Sequence, residues 1–115
     1  MPLETLLDGE REFLAVALDT GVVRGDCDVL QTADDIERGK PDPEIFLLAC
    51  RRLNLPPIEC IVLEDARNGV LAGKAAGCQV IAVPSDYTRG QDFSAADWVE
   101  PDLFAAARRI ESLLA

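Results

Sequence analysis

Two short apolar runs, CIVL at 60–63 and QVIAV at 79–83, bracket the segment 66–76, which closes on Gly77. Runs of this length, partly β-branched and without polar alternation, suit strands covered on both faces. Between them, 66–76 reads as a helix with glycine as its left-handed stop. A strand, a helix and a second strand in this order form a crossover unit, and such units build parallel sheets with right-handed connections.

The rest of the chain extends this alternation. Residues 10–20, EREFLAVALDT, carry apolar positions at Phe13, Val16 and Ala17 and end at Gly21, which predicts a helix. Asp28 to Thr32 is a short strand candidate. Asp42 is placed to cap a helix whose first residue is Pro43, a position that needs no amide donor. The core stripe of that helix would be Ile45, Leu48, Ala49 and the stem of Arg52, ending near Asn54. Residues 97–99 suit a short edge strand, and 102–114 a helix with Leu103, Ala107, Ile110 and Leu114 on one face. No linker, repeat or low-complexity tract divides residues 1–115, so a single domain is expected.

Composition narrows the function classes. Of 115 residues, 49% are apolar, enough for one modest core. Twenty-one acidic against eleven basic residues give a net charge of −10, which argues against nucleic acid or an anionic membrane as the main partner. The start MPLETLLDGERE has neither the basic opening nor the apolar core of a signal peptide, and a cytoplasmic protein is expected. Cys27, Cys50, Cys60 and Cys78 form no C-x-x-C pair, and with no histidine present neither a zinc site nor a histidine base is indicated. The last three cysteines read as small, reduced core residues.

Chemistry concentrates where a parallel sheet binds its ligands, beyond the carboxyl ends of the strands. Glu64 and Asp65 follow CIVL directly. A helix cap would account for Asp65 alone, but a pair of carboxylates suits a hard cation such as Mg²⁺. Lys40 lies in the loop after the candidate strand at 28–32 and can reach the same edge as a point charge for a carboxylate or a phosphate. Gly69, Gly73 and Gly77, each four apart, cost about 1 kcal/mol apiece against alanine inside a helix, which suggests close packing of that helix on the sheet.

The stretch GKPDPEIF at 39–46, then CIVL, then the Glu64-Asp65 pair resembles the third and fourth motifs of the haloacid dehalogenase (HAD) superfamily of phosphohydrolases. The branch it is most similar to contains β-phosphoglucomutase and phosphoglycolate phosphatase, and the tail PSDYTRGQDFSAADWV is similar to sugar-phosphate phosphatases there. The resemblance implies an α/β fold, a Rossmann-like HAD core with a parallel sheet. It implies that Lys40 holds the nucleophile and the transferring phosphoryl group, that Asp65 binds Mg²⁺, and that Glu64 assists in the metal shell. Such a partition fits phosphoryl transfer, which asks chiefly for positioning and for positive charge against the phosphoryl oxygens.

The family's first motif, a strand followed by D-x-D-x-T whose first aspartate attacks phosphorus, has no counterpart here. DCDVL at 26–30 has two aspartates, but Leu30 stands at the threonine position and Arg24-Gly25 where the strand should be. LDTG at 18–21 resembles an aspartic-protease signature, but the run before it reads as helical, so a helix stop is the better account. The second motif would fall near Leu6, Leu7 and Asp8, with Thr5 the nearby hydroxyl, and Ala66 replaces the serine usual after the Glu-Asp pair. The cap domain is missing as well. The core is therefore expected to be incomplete, with CIVL left unpaired at one edge, an association hazard. Two functions follow: the carboxyl-terminal part of a Mg²⁺-dependent phosphohydrolase or phosphomutase acting on a small phosphorylated metabolite such as a sugar phosphate, inactive alone; or a non-catalytic protein. The second would pair through that edge with another copy or a complementing chain.

Overall fold

A computed structural model of the protein describes residues 15–17, 22–24 and 37–114. Its elements are β1 (Ala15–Ala17), β2 (Val22–Arg24), α1 (Glu44–Leu53), a 3₁₀ turn (Pro57–Glu59), β3 (Cys60–Glu64), α2 (Arg67–Ala76), β4 (Gln79–Ala82), β5 (Trp98–Val99) and α3 (Leu103–Leu114). The described strands form one sheet in the order β2-β1-β3-β4-β5.

The predicted crossover unit is its centre. β3 and β4 run parallel with Ile61 opposite Gln79 and Glu64 opposite Ala82, and β5 adds in parallel through Ile81 with Trp98. Successive strand side chains point to opposite faces, and the two cores follow that parity. Cys60, Val62, Val80 and Ala82 pack with Ile45, Phe46, Ala49, Cys50 and Val70, residues of α1 and α2. Ile61, Leu63 and Ile81 pack on the other side with Ala106, Ala107 and Ile110 of α3. A sheet covered on both faces needs apolar residues at every position, which is why CIVL and QVIAV show no alternation.

Gly73 shows why α2 carries glycine: a Cβ there would stand 2.7 Å from Val80 Cγ2, so its absence lets the helix backbone lie on the sheet. Gly77 has a different task, ending the helix at φ 94° with its amide donating to the carbonyls of Gly73 and Lys74. Asn54 ends α1 in the same left-handed conformation, at φ 58°.

The amino-terminal region departs from expectation. Where a helix over 10–20 is predicted, Ala15–Ala17 is a strand, paired antiparallel with β2 and with β3. Three apolar positions at helical spacing cannot distinguish a helix from a short strand, and the neighbouring Val22 and Val23 favour the latter. The sheet is therefore mixed, because residues 18–21 are too few for the crossover that a parallel pair requires. CIVL is likewise not bare on that side: Ile61 opposes Val16 and Cys60 opposes Ala17. The candidate strand at 28–32, Asp26 and Asp28 of DCDVL, LDTG, Thr5 and Cys27 lie outside the described residues.

Helix α1 begins at Glu44 with Pro43, not Asp42, at its N-cap, one residue later than predicted; Asp42 stands just before the cap, and its Oδ1 accepts the Glu44 amide at 3.0 Å. Its buried stripe is Ile45, Phe46, Ala49 and Cys50, with Leu48 only half-buried. Cys50, Cys60 and Cys78 are free and buried, as expected, with Cys50 Sγ 3.8 Å from Cys78 Sγ. A hydrogen bond with Cys60 pulls the Cys50 thiol down, but the Cys78 thiol and burial outweigh it and push it up to about 12. Cys60 is raised further, through Cys50 and burial, so both stay protonated and chemically quiet.

Candidate phosphoryl and metal site

β3 delivers its last residue, Glu64, on the same face as Cys60 and Val62, the face covered by α1 and α2. The carboxyl group is thereby carried under the first turn of α2, and the residue is only 3% exposed. Gly69 makes room for it: a Cβ at that position would collide with the carboxyl group. The first and second glycines of the spaced series thus serve close approach, one to a carboxylate and one to the sheet.

A buried carboxylate is costly unless a partner meets it. Lys40 does, with Nζ 2.5 Å from Glu64 Oε1 and the two side chains 22% and 2% exposed. The ring of Phe46, at the start of α1, lies 5.4 Å from the same ammonium. Burial raises the Glu64 pKa from the ordinary 4.5 to about 7; the charge and hydrogen bond of Lys40 oppose the shift, and the adjacent Asp65 adds to it. The Lys40–Pro41 peptide is cis.

Asp65 differs from its neighbour in every respect. It has left the strand, it is exposed, and it is not the cap of α2. Ala66 holds the capping position without a side-chain bond, and the Arg67 amide is met at 2.8 Å by Gln91 Oε1 from the segment after β4. The cap explanation for Asp65 therefore fails, and its carboxylate stands at the carboxyl end of the sheet beside the Lys40–Glu64 pair. Gln91 is a residue that sequence reasoning missed; nothing local marks it, because its partner lies 24 positions away.

Among the described residues, no cluster of three or more histidine, cysteine or acidic side chains is arranged to hold a metal. Glu64 and Asp65 offer oxygen donors only, a set that fits Mg²⁺, which is commonly bound through one or two carboxylates with waters and phosphate completing its shell. The site thus joins one cation, one buried carboxylate and one exposed carboxylate at the ligand-binding edge of an α/β sheet.

Comparison with known proteins defines the class further. Residues 5–77 match the family model of haloacid dehalogenase-like hydrolases, and the chain belongs to that family. Protein CbbY of Rhodobacter capsulatus is 49% identical over 80 residues, which is 70% of this chain and 35% of that protein. Hexitol phosphatase A of Escherichia coli is 53% identical over 64 residues, 54% of this chain and 30% of that protein. Among solved structures, CbbY from Rhodobacter sphaeroides in complex with phosphate matches with a TM-score of 0.59 at 40% identity, over 61% of this chain and 31% of that one. A putative β-phosphoglucomutase from Bacteroides vulgatus matches with a TM-score of 0.61 at 30% identity, over 71% of this chain and 36% of that one. The chain spans about a third of the length of these relatives. Among the described residues, no helix is long and apolar enough to cross a membrane.

Proposed function

We propose that the protein is the carboxyl-terminal part of a Mg²⁺-dependent phosphohydrolase or phosphomutase acting on a small phosphorylated metabolite such as a sugar phosphate. The observation that carries this reading is the ion pair of Lys40 with Glu64 beside Asp65 at the end of β3. Two motifs distant in sequence meet there, at the edge where such sheets bind ligands. Relatives named hexitol phosphatase A, from Escherichia coli, and phosphorylated carbohydrates phosphatase, from Thermotoga maritima, support the substrate class.

In this reading Lys40 places positive charge against the phosphoryl oxygens and against an attacking carboxylate. Asp65, exposed, would hold Mg²⁺, and Glu64 would assist it while orienting the lysine. The metal would supply charge neutralisation on the phosphoryl group. The nucleophile comes from polypeptide beyond these 115 residues, so the chain alone binds but does not turn over.

The test is calorimetric titration with Mg²⁺ alongside hydrolysis of a generic phosphate ester. Binding that Asp65→Ala abolishes, with no turnover above Lys40→Ala, is expected. Absence of Mg²⁺ binding by the folded chain would refute the metal role. Turnover lost in Lys40→Ala and Asp65→Ala would show that a nucleophile lies within these residues, and Asp26 and Asp28 would then be replaced in turn.

A further inference from the structure

We propose that Glu44 is a positioning residue for Lys40, which deepens the reading above and rests on it for the use made of the lysine. Lys40 lies outside any helix or strand, and a flexible four-carbon stem is a poor holder of a point charge unless its base is fixed. The structure fixes that base from both sides through Glu44, by its carboxylate on one side and its backbone amide on the other. Glu44 Oε1 accepts the backbone amide of Glu37 at 2.7 Å, and its Oε2 accepts that of Arg38 at 3.1 Å. On the other side the Glu44 amide donates to Asp42 Oδ1 at 3.0 Å, and the Asp42 amide donates to the Gly39 carbonyl at 3.1 Å. Residues 37–44 thus close into a ring of hydrogen bonds around Lys40, anchored in the first turn of α1.

The same turn carries Phe46, whose ring approaches the ammonium, so one helix end sets both the backbone and the tip of the lysine. Neither function is served by acidity alone. Two amides need two acceptor oxygens, and bonds to a carboxylate are stronger than those to a neutral carbonyl. Glutamine supplies one acceptor oxygen instead of two. Aspartate keeps the charge at the helix start but falls one methylene short. A role confined to the helix dipole would therefore spare Glu44→Asp, whereas a clamp loses its grip in both variants.

The chain has two lysines, Lys40 and Lys74, and the second is paired with Asp97 away from this loop. Proton–nitrogen correlation spectra of ¹⁵N-lysine-labelled protein therefore contain an internal reference, and Lys40→Ala assigns the signals. In Glu44→Gln and in Glu44→Asp the Lys40 ammonium signal is expected to broaden or vanish, with Lys74 unchanged and the thermal midpoint showing the chain folded. A Lys40 signal unaltered in both variants overturns the proposal.

A second arm measures the affinity for inorganic phosphate with Mg²⁺ present. Glu44→Gln is expected to weaken it on the order of tenfold, and to have no further effect in a Lys40→Ala background. An equal loss in both backgrounds shows a role in the fold alone and also overturns the proposal. If the wild-type chain binds neither Mg²⁺ nor phosphate, the functional reading fails, while the ammonium spectra still decide whether Glu44 holds Lys40.

Discussion

β3 has two neighbours, and they are held by different means. Towards β4 the pairing is parallel, runs from Ile61 to Glu64, and is backed by helices on both faces. Towards β1 it is antiparallel and joins Cys60 and Ile61 to a three-residue strand. The first arrangement is specified by burial of every side chain, since a slip of one residue would turn Glu64 from its lysine into the α3 core. The second rests on two residue pairs, Val16 with Ile61 and Ala17 with Cys60. Stability and site geometry should therefore reside on the β4 side.

The largest test of that difference is Ile81→Ala. Ile81 of β4 is fully buried with Ile61 and Leu63 against α3, and its truncation should cost about 2–5 kcal/mol through lost transfer energy and the cavity left behind. The midpoint of urea unfolding measures it. A loss under about 1 kcal/mol would mean that the α3 face is loosely packed and that the comparison is wrong.

Next in size is the dependence on pH, which probes the site end of the same strand. The folded state raises the Glu64 pKa from 4.5 to about 7, so between these values the folded chain binds more protons than the unfolded one. Stability then falls as pH rises across this window, by about 3 kcal/mol for a shift of that size. Urea midpoints taken from mildly acidic to neutral pH should show the fall, and Glu64→Gln should flatten it. Lys40→Met should steepen it, since the lysine opposes the shift. Stability that climbs over the window would mean that Lys40 outweighs burial.

Much of this was legible beforehand. CIVL, QVIAV, the stop at Gly77 and the end at Asn54 are local signals in which composition, spacing and tertiary role agree. The Lys40 and Asp65 assignments came from motif resemblance, but the pairing of Lys40 with Glu64 was open to physical reading. Glu64 shares parity with Cys60 and Val62, so a strand covered on both faces must bury its side chain and must find it a cation. What stayed hidden depends on partners far away in the chain: Gln91 on the Arg67 amide, and Val16 on Ile61. The run at 10–20 carries a helical spacing that a short strand also satisfies, and only pairing with β3 decides between them.

A smaller effect should come from Asp97, which ties β5 to the favoured side. Its Oδ2 accepts the Val80 amide at 2.7 Å and Lys74 Nζ at 2.9 Å. Asp97→Ala leaves that amide without its partner and should cost about 2 kcal/mol. Hydrogen exchange at Val80 should quicken in step. An unchanged exchange rate would place the anchoring of β5 in the Trp98 contact with the α3 core instead.

The smallest effect sharpens the comparison most. Val16 sits in the middle of β1 with β2 on one side and β3 on the other, so Val16→Pro removes an amide donor where two ladders meet. In a strand enclosed like β4 such a change would prevent folding. Among the described residues β1 meets β3 only at Cys60 and Ile61, so the loss should stay near about 1 kcal/mol, the ordinary cost of a single substitution. The Lys40 ammonium signal should be untouched, because Lys40 answers to Glu64 and α1. If Val16→Pro unfolds the chain, the hairpin is as much a part of the core as the crossover unit, and β1 has become structurally indispensable to the edge of β3. If it leaves the fold intact but frees Cys60 and Ile61 to pair, self-association measured by light scattering should rise with protein concentration, as an exposed apolar edge requires.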